Sequence, residues 1–505
     1  MTQHLHKRPS SADWALALAV ALGAALLWGA GLALTRDAPA LDSAEQLLWG
    51  YSMEAGYWKH PPVPSWIMHA LLGAFGPSVS LTYFAAQACA GVALLLAWRL
   101  GCEFMPPLQS LAAMALSALV TWHNLSADTF NHNTVLLPFQ VAAALAFWLA
   151  VRSGSWLRWF VFGLAAAAAM LVKYIALLPL SALLLYLVVE PSARTRRNVA
   201  GLAVAGAGGL LLLAPHMLWL AGTGAAPLHY ATEVAAAAPK ASEWWRSLGL
   251  FVLEQCLDLA PLALLLFWLH RRAPAGTAPE VTGSRRFLWC AGAAPLVMIV
   301  MYSVFTGTEL QARWGSTLCL FAGWLAIDVW RRLAALPPQR VLRAALCAQA
   351  ALLVYGALLA PGALRLLDFN SRVNFPSRQL TAMANATWHQ FNKAPLRILV
   401  TDSWLGGNVV ANSARPMAVV IDGYFQRAAW VTAEDVRRCG ALVIRDPGAG
   451  PEVVQALRGF LDEARMRGHW RLPWSPNRGL HQVNPEGTVL DWGILPPSGE
   501  GNCTL

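Results

Sequence analysis

Eleven apolar stretches divide the first 360 positions, each near the roughly 20 residues a helix needs to cross hydrocarbon. They run over about 14–34, 79–100, 108–122, 135–151, 159–172, 175–189, 199–220, 248–269, 287–305, 314–330 and 341–360. The third, fifth and sixth are short, and fusing the fifth with the sixth would reverse the side of everything after them. After Ala360-Pro361-Gly362 the apolar windows stop and the chain becomes mixed and charged. Short strand-like runs follow at 396–401, 418–421 and 441–444, with a helical pattern over 451–467 that starts at Pro451 and stops before Gly468. The pattern predicts a polytopic α-helical membrane protein with about 11 transmembrane helices over residues 1–361. A small α/β domain over 362–505 completes it. No internal repeat is visible, so the inverted-repeat architecture of many secondary transporters gains no support.

Composition agrees. Apolar residues make up 57% of the chain and charged residues 13%, about half the roughly 25% of a soluble protein. Soluble, disordered, collagenous and disulfide-scaffold classes are excluded by those figures. Charge then gives orientation, because Lys and Arg concentrate in cytoplasmic loops. With the N-terminus inside, the inner segments hold 16 of the 37 basic residues, from Lys7 and Arg8 to Arg340 and Arg343. The outer segments hold Arg36, Lys59, Lys173, Lys240, Arg246 and Arg313, and the remaining 15 follow the last window. The expectation is an N-terminus inside and a C-terminal domain outside. The net charge of +10 is then a topological signature and not a nucleic-acid footprint, which needs basic residues clustered on one surface with stacking aromatics. Ala38-Pro39-Ala40 looks like a cleavage site, but ten further spans make the first stretch a retained helix. The Ala-rich, Arg-over-Lys composition is compatible with a bacterial inner membrane. Ionisable groups are nearly absent from mid-span, with Asp13, Glu190 and Asp328 at inner ends. The eight Cys follow no metal-ligand spacing. Cys439 and Cys503, beyond the last span, either form a disulfide or leave Cys439 as a buried thiol.

Chemistry is therefore sought in the outer loops. The first contains LDSAEQLLWGYSMEAGYWKHPPVPSW, from Leu41 to Trp66. Asp42, Glu45, Gln46, Trp49 and Met53 fall at helical spacing, which suggests an amphipathic helix lying flat at the membrane interface. Asp42 and Glu45 also make a capping-box pattern, so Asp42 is either an N-cap or a functional carboxylate. Lys59 and His60 precede Pro61-Pro62, a stiff turn that presents two potential cations. They read as a phosphate site facing a carboxylate, or as an interfacial turn with a snorkelling Lys. In the second outer loop Asp128 is placed to cap the fourth span. Lys173 and Tyr174 stand at a tight outer turn, where Lys173 is a phosphate ligand or an anchor. The loop over 221–247 offers His229, Glu233, Lys240 and Glu243, as a substrate lid or as a solvated amphipathic segment. Asp42, Glu45, Asp128 and His132 make a possible O/N metal set without diagnostic spacing, so metal dependence stays open.

An acid after the first span, an interfacial helix and a G-Y-x-x-H-P-P turn resemble the bacterial members of glycosyltransferase family 39. These are GT-C membrane enzymes related to protein O-mannosyltransferases and to the lipid A aminoarabinose transferase. The resemblance covers roughly 35–190, through TWHNLSADTFNHNTVLLP at 121–138 and MLVKYIALLPL at 170–180, with ELQARW at 309–314 beyond it. Many members read Asp-Glu where this chain has Asp42-Ser43. The resemblance implies transfer of a hexosyl or pentosyl group from a polyprenyl-phosphate sugar to an acceptor hydroxyl at the periplasmic face, with inversion. Asp42 is then the base, with Glu45 and Asp128 as further acids of the site. Lys59, His60, Arg313 and Lys173 would hold the donor phosphate. The expected partners are the polyprenyl-phosphate sugar, membrane lipid and an acceptor glycan, lipid or protein, with no nucleic acid. No cofactor other than a possible divalent metal is implied. A polytopic lipid or sugar flippase is the rival class, since interfacial charges also mark transport pathways.

Overall fold

The computed structural model describes residues 8–236, 240–273, 285–366, 370–474, 487–498 and 503, so Lys7 lies outside the described residues. The helical part begins with α1 (Ser11–Thr35), α2 (Leu41–Trp49), α3 (Val63–Phe75), α4 (Val79–Gly101), α5 (Pro107–Ser117) and α6 (His132–Ser153). It continues with α7 (Trp156–Val172), α8 (Leu177–Val189), α9 (Arg196–Gly222), α10 (Ala226–Val234) and α11 (Ala241–Arg272). Then come α12 (Arg285–Gly292), α13 (Ala294–Thr306), α14 (Ala322–Val329), α15 (Arg331–Ala334), α16 (Pro338–Leu353) and α17 (Ala360–Leu366).

Every apolar window coincides with helix, but not all of them with a full span. Helices α1, α4, α6, α9 and α11 and the continuous segment 338–364 are long and apolar enough to cross a membrane. The pair α12–α13, bent by 45°, makes a seventh. The other four windows fold as shorter helices, with 11 residues in α5, 17 in α7, 13 in α8 and 8 in α14. Helix α3 is an apolar addition inside the first loop. Large apolar side chains such as Leu27, Leu34, Leu211, Leu218, Leu264 and Phe305 stay exposed on these helices, as lipid-facing surface requires. The chain is a multi-pass membrane protein.

Small residues bring the helices together. A Cβ on Gly163 of α7 would lie 2.0 Å from the Ala205 carbonyl oxygen of α9, so only glycine permits that crossing. Helix α1 packs on α4, α4 on α6, and α6 on α7. Ion pairs gather at the two ends of these helices. At one end Arg99 and Arg152 meet Glu103, Arg286 meets Glu190, and Arg285 meets Asp328. At the other Arg36 meets Asp128 and Lys59 meets Glu45. One expectation fails: Glu254 and Asp258 stand well inside α11, where Asp258 accepts a hydrogen bond from the Thr121 hydroxyl. The eleven residues of α5 rise only about 16 Å, half the hydrocarbon thickness. The turn after α5 therefore meets α11 near its middle and gives the half-buried carboxyl a partner.

The tail holds α18 (Ser377–Phe391), β1 (Ile398–Thr401), α19 (Ser403–Ala411), β2 (Ala418–Ile421), α20 (Ala433–Cys439), β3 (Ala441–Arg445), α21 (Pro451–Glu463), β4 (Met466–Leu472) and β5 (Thr488–Leu495). One sheet has the order β2-β1-β3-β5-β4, with the first three strands parallel and β5 antiparallel to both neighbours. The expected helix over 451–467 ends at Glu463, and the segment around Gly468 is strand. Gly468 serves close packing and not a helix cap, since a Cβ there would lie 2.8 Å from the Trp492 ring. Cys439 and Cys503 are disulfide-bonded, which ties down the chain end.

Candidate functional site

Helix α2 carries the first two acids, and protein covers its apolar side. Seven of its nine residues are buried, from Ser43 to Trp49. The helix is held between α3 of the helical part and α19 of the tail. Ala40 is its N-cap and makes no side-chain bond, so Asp42 is not a cap and no capping box forms. Asp42 instead accepts a hydrogen bond from Asn131 Nδ2 at 2.9 Å. Asn131 also caps α6, accepting from the Asn133 and Thr134 amides, which leaves Asp128 without the capping role.

The turn after α2 brings Lys59 back over it. Lys59 Nζ lies 2.7 Å from Glu45 Oε1, beside the Trp58 ring. Burial pushes the Glu45 carboxyl up from its ordinary value and Lys59 opposes that. Tyr57 and His60 exchange backbone hydrogen bonds at 3.0 and 3.2 Å, which fixes the turn before the two prolines. The His60 ring rests 4.0 Å from that of His132 and edge-on to Tyr230. Burial, then the neighbouring His132, Lys173, Lys59 and Arg313, holds its pKa well below the usual value. Burial and these neighbours favour the neutral form of the His60 imidazole over the second cation expected of the turn. Lys173 follows α7 and donates to Asn133 Oδ1 at 2.6 Å. Burial and the nearby Arg313 pull it down to about 8. Arg313, braced by Gln311 Oε1 at 2.9 Å, completes the basic group.

These side chains line two cavities with a common wall. The first, about 520 Å³, is bounded by Glu45, Lys59, His60, Lys173 and Tyr230, with Leu178 and Ile299 on its apolar side. The second, about 660 Å³, is bounded by Arg36, Asp128, Tyr83 and Arg372, and by Trp122 and Leu125 below. Asp42, Asn131, Asn133 and Arg313 border both. Asp128 stands apart from Glu45 and Lys59: it is paired with Arg36 in the second cavity. Asp42, Glu45, Lys59, His60, Lys173 and Arg313 come together, although they span more than 270 positions of sequence.

The tetrad considered for a metal does not assemble. Asp128 is taken by Arg36, Glu45 by Lys59 and Asp42 by Asn131, while the His132 ring faces the Pro61 carbonyl at 3.4 Å. Among the described residues no three His, Cys, Asp or Glu side chains are placed to hold an ion. In the loop over 221–247, Lys240 pairs with Glu243, and Tyr230, Ala231, Val234 and Ala235 line the first cavity. Nothing in local sequence marks Tyr230 or Arg372 as site residues, because each arrives from a distant element, and Arg36, in the same loop as Asp42, belongs to no motif that sets it apart. The two asparagines, Asn131 and Asn133, lie in the 121–138 segment beside His132.

Comparison with known proteins places this geometry. The model of the dolichyl-phosphate-mannose-protein mannosyltransferase family matches residues 59–219. A lipopolysaccharide core galacturonosyltransferase, RgtA of Rhizobium johnstonii, is 26% identical over 291 residues. That match spans 54% of this chain and 56% of the relative, so the chain matches about half of that protein's length. Among solved structures, ArnT of Cupriavidus metallidurans bound to undecaprenyl phosphate superposes with a TM-score of 0.61 at 14% identity, covering 96% of this chain and 98% of that one. The same protein in its apo state gives 0.56 at 13% identity, covering 95% and 97%. The fold is shared along nearly the whole chain. The resemblance drawn from the first-loop motif is borne out, and a transporter reading is not favoured.

Proposed function

We propose that the chain, which shares its fold with ArnT, is a GT-C glycosyltransferase that moves a sugar from a polyprenyl-phosphate donor to an acceptor hydroxyl, with inversion at the anomeric carbon. The observation that carries the reading is the position of Asp42 in the wall between the two cavities. The first cavity has the chemistry of a lipid-phosphate sugar: cations Lys59, Lys173 and Arg313 at one end and apolar side chains at the other. The second gives an acceptor its own approach to the same carboxylate. The solved relative bears undecaprenyl phosphate, which suits a donor that cannot leave the bilayer.

The reaction follows from that arrangement. The acceptor oxygen attacks the anomeric carbon as the bond from that carbon to the phosphate oxygen breaks. The hydroxyl proton passes to a carboxylate oxygen of Asp42, and the polyprenyl phosphate leaves with the bonding pair. Lys173 and Arg313 stabilise the charge that develops on the phosphate. Glu45 holds Lys59 toward the cavity, and His60, neutral, offers a hydrogen bond without a charge. Asp128, through Arg36, shapes the acceptor side. A single displacement needs one base and no carboxylate nucleophile.

The proposed topology keeps eleven crossings of a bacterial inner membrane, seven by the long helices and the bent pair and four by the short α5, α7, α8 and α14 with their flanking turns, with residues 1–361 as the catalytic domain. The N-terminus is cytoplasmic and residues 362–505 form a periplasmic domain. Its support is the sorting of ion pairs: Arg99, Arg152, Arg285 and Arg286 lie among the helix ends expected inside, and Arg36 and Lys59 among those expected outside. The test of function uses purified full-length protein in vesicles without any ion gradient. Release of free polyprenyl phosphate from the glycosylated donor, together with an inverted anomeric linkage in the product, is expected. Movement of intact donor lipid between leaflets with no release would establish the flippase instead.

A further inference from the structure

Helix α2 has nine residues and no side-chain N-cap, and a helix that short is not stable by itself. Its orientation must come from what it touches. On the side of the helical part the Ser43 hydroxyl accepts from the Phe130 amide at 2.8 Å, and Gln46 Oε1 accepts from the Ser65 hydroxyl at 3.0 Å. On the opposite side it meets α19 of the tail. The sequence SWLGGNVV places two adjacent glycines inside that helix, away from any turn. A Cβ on Gly407 would lie 2.4 Å from Ala44 Cβ and 2.6 Å from the Ala44 carbonyl oxygen. Gly406 has Leu48 of α2 on one side and Val419 of β2 and Thr401 of β1 on the other, so α19 is wedged between the sheet and α2.

A second tie runs to the entry of α2. The Asp37 amide donates to the Val373 carbonyl at 2.9 Å, and the Ser377 hydroxyl donates to the Asp37 carbonyl at 2.5 Å. Asn412, the C-cap of α19, donates to that same Ser377 hydroxyl at 2.9 Å. The tail therefore grips both the face of α2 and the segment that leads into it.

We infer that the tail is a positioning element for the transfer reaction: α19, seated through Gly407 on Ala44, fixes the angle at which α2 presents Asp42 to the common wall of the two cavities. The inference rests on the proposed function, in which Asp42 is the base. Gly407 is a positioning residue, since it acts through α2. A displacement of about 1 Å at a reacting group is enough for a rate loss near 100-fold.

The experiment compares full-length Gly407→Ala, Gly407→Val and Leu457→Ala. Leu457 is fully buried in α21, which packs on β1, β3 and β5, so its truncation weakens the tail away from the α2–α19 contact. In donor-release assays Gly407→Ala is expected to lower kcat about 10-fold and Gly407→Val about 100-fold, with donor KM changed less than threefold. Leu457→Ala, assayed below its lowered Tm, is expected to keep kcat within threefold of wild type. Adding Ala44→Gly to Gly407→Ala removes the Cβ–Cβ clash and should recover part of the lost kcat. A Gly407→Val protein within threefold of wild-type kcat, or a Leu457→Ala protein that falls as far as Gly407→Val, overturns the inference. Hydrogen exchange separates this from the function itself. If wild type releases no polyprenyl phosphate, the catalytic reading fails and α2 decides the positioning claim. Amide protection over Leu41–Trp49 should drop at least 10-fold in Gly407→Val while β1 and β3 keep theirs, and unchanged α2 protection refutes the positioning role.

Discussion

Replacing Asp42 with Asn separates the base from every other role the residue has. Position 42 lies in the first turn of α2 and is not the cap. Asn and Asp have similar helix propensities, so the helix loses only the interaction of a first-turn acid with its dipole, about 0.3–1 kcal/mol. The amide oxygen of Asn can still accept from Asn131 Nδ2, which now reaches the carboxylate at 2.9 Å. Stability should change little. Basicity disappears, and a positioned general base contributes about 10²–10⁴-fold, or roughly 3–5 kcal/mol of barrier. The cavity also loses one negative charge while Lys59, Lys173 and Arg313 remain, so the donor phosphate should bind as well as before or better. The expected signature is a kcat lowered at least 100-fold with donor KM unchanged or reduced. Glu45→Gln is the informative partner: it frees Lys59 from its ion pair, and its effect should fall on donor KM more than on kcat. The assay is single-donor release of polyprenyl phosphate by purified variants whose Tm stays near that of wild type. Turnover above about a tenth of wild type would limit the contribution of the base to less than ~1.4 kcal/mol. Asp42 would then be a structural acid, and Asp128 or Glu45 the next candidate.

Three further outcomes follow from the same geometry. Lys173, pulled down to about 8, must be charged to hold the phosphate, so kcat/KM for the donor should fall as pH rises through about 8. A Lys173→Arg protein should lack that alkaline limb, and a limb that persists in it would place the titration elsewhere. Arg313→Ala should raise donor KM more than Arg313→Lys, because a guanidinium grips phosphate with two bonds and an ammonium acts as a point charge; equal KM in all three proteins would leave Arg313 as an anchor. In the tail, burial pushes Asp402 up to about 6, so the folded form holds its proton at pH values where the unfolded chain has lost it. Tail stability should therefore fall as pH rises from about 4 to 6. Asp402→Asn, which can still cap α19 by accepting from the Trp404 and Leu405 amides, should gain roughly 1–2 kcal/mol at pH 7 and lose the pH slope. A slope retained in the variant would refute the assignment.

Hydropathy is written along one dimension, which is why every apolar window was legible as helix. Depth is not. The 108–122 window has enough apolar residues for most of a span, yet α5, which starts at Pro107 at the head of that window, already ends at Ser117. Glu254 and Asp258 escaped notice because two carboxyls four residues apart barely lower the mean of a 22-residue apolar window, and Thr121, which satisfies one of them, is 137 positions away. Helix α2 was legible as amphipathic, but an amphipathic pattern does not say whether lipid or protein covers the apolar side. Here Gly406 and Gly407 supply protein. Strand β4 was hidden behind Gly468, read as a helix stop. At the site, residue types and loops were readable from the first-loop motif, whereas the charge on His60 was not. A protonation state belongs to neighbours in space, and His132, Lys173 and Arg313 are neighbours only after folding.

The distribution of charge ranks the cations of the proposed reaction. Before transfer one negative charge is on Asp42 and one on the donor phosphodiester. Afterwards Asp42 is protonated and the leaving phosphate carries both. The total is conserved, and what moves is one negative charge from the common wall into the first cavity. A cation already neutralised gains little from that movement, and Lys59 spends most of its field on Glu45 at 2.7 Å. Among the described residues Lys173 donates to a neutral amide oxygen, and Arg313 to another. Both face Asp42 as well as the first cavity, so part of their attraction is given to the base in the ground state and shifts to the phosphate as the proton moves. Replacement of Lys173 or Arg313 by a neutral side chain should therefore act on kcat as well as KM. Replacement of Lys59 should act mainly through the stranded Glu45, whose buried carboxylate would take up a proton in its absence. Lys59→Met combined with Glu45→Gln should then recover part of what Lys59→Met alone loses. A double variant no better than the single one would mean that Lys59 touches the phosphate directly and that its pairing with Glu45 gives way when donor binds.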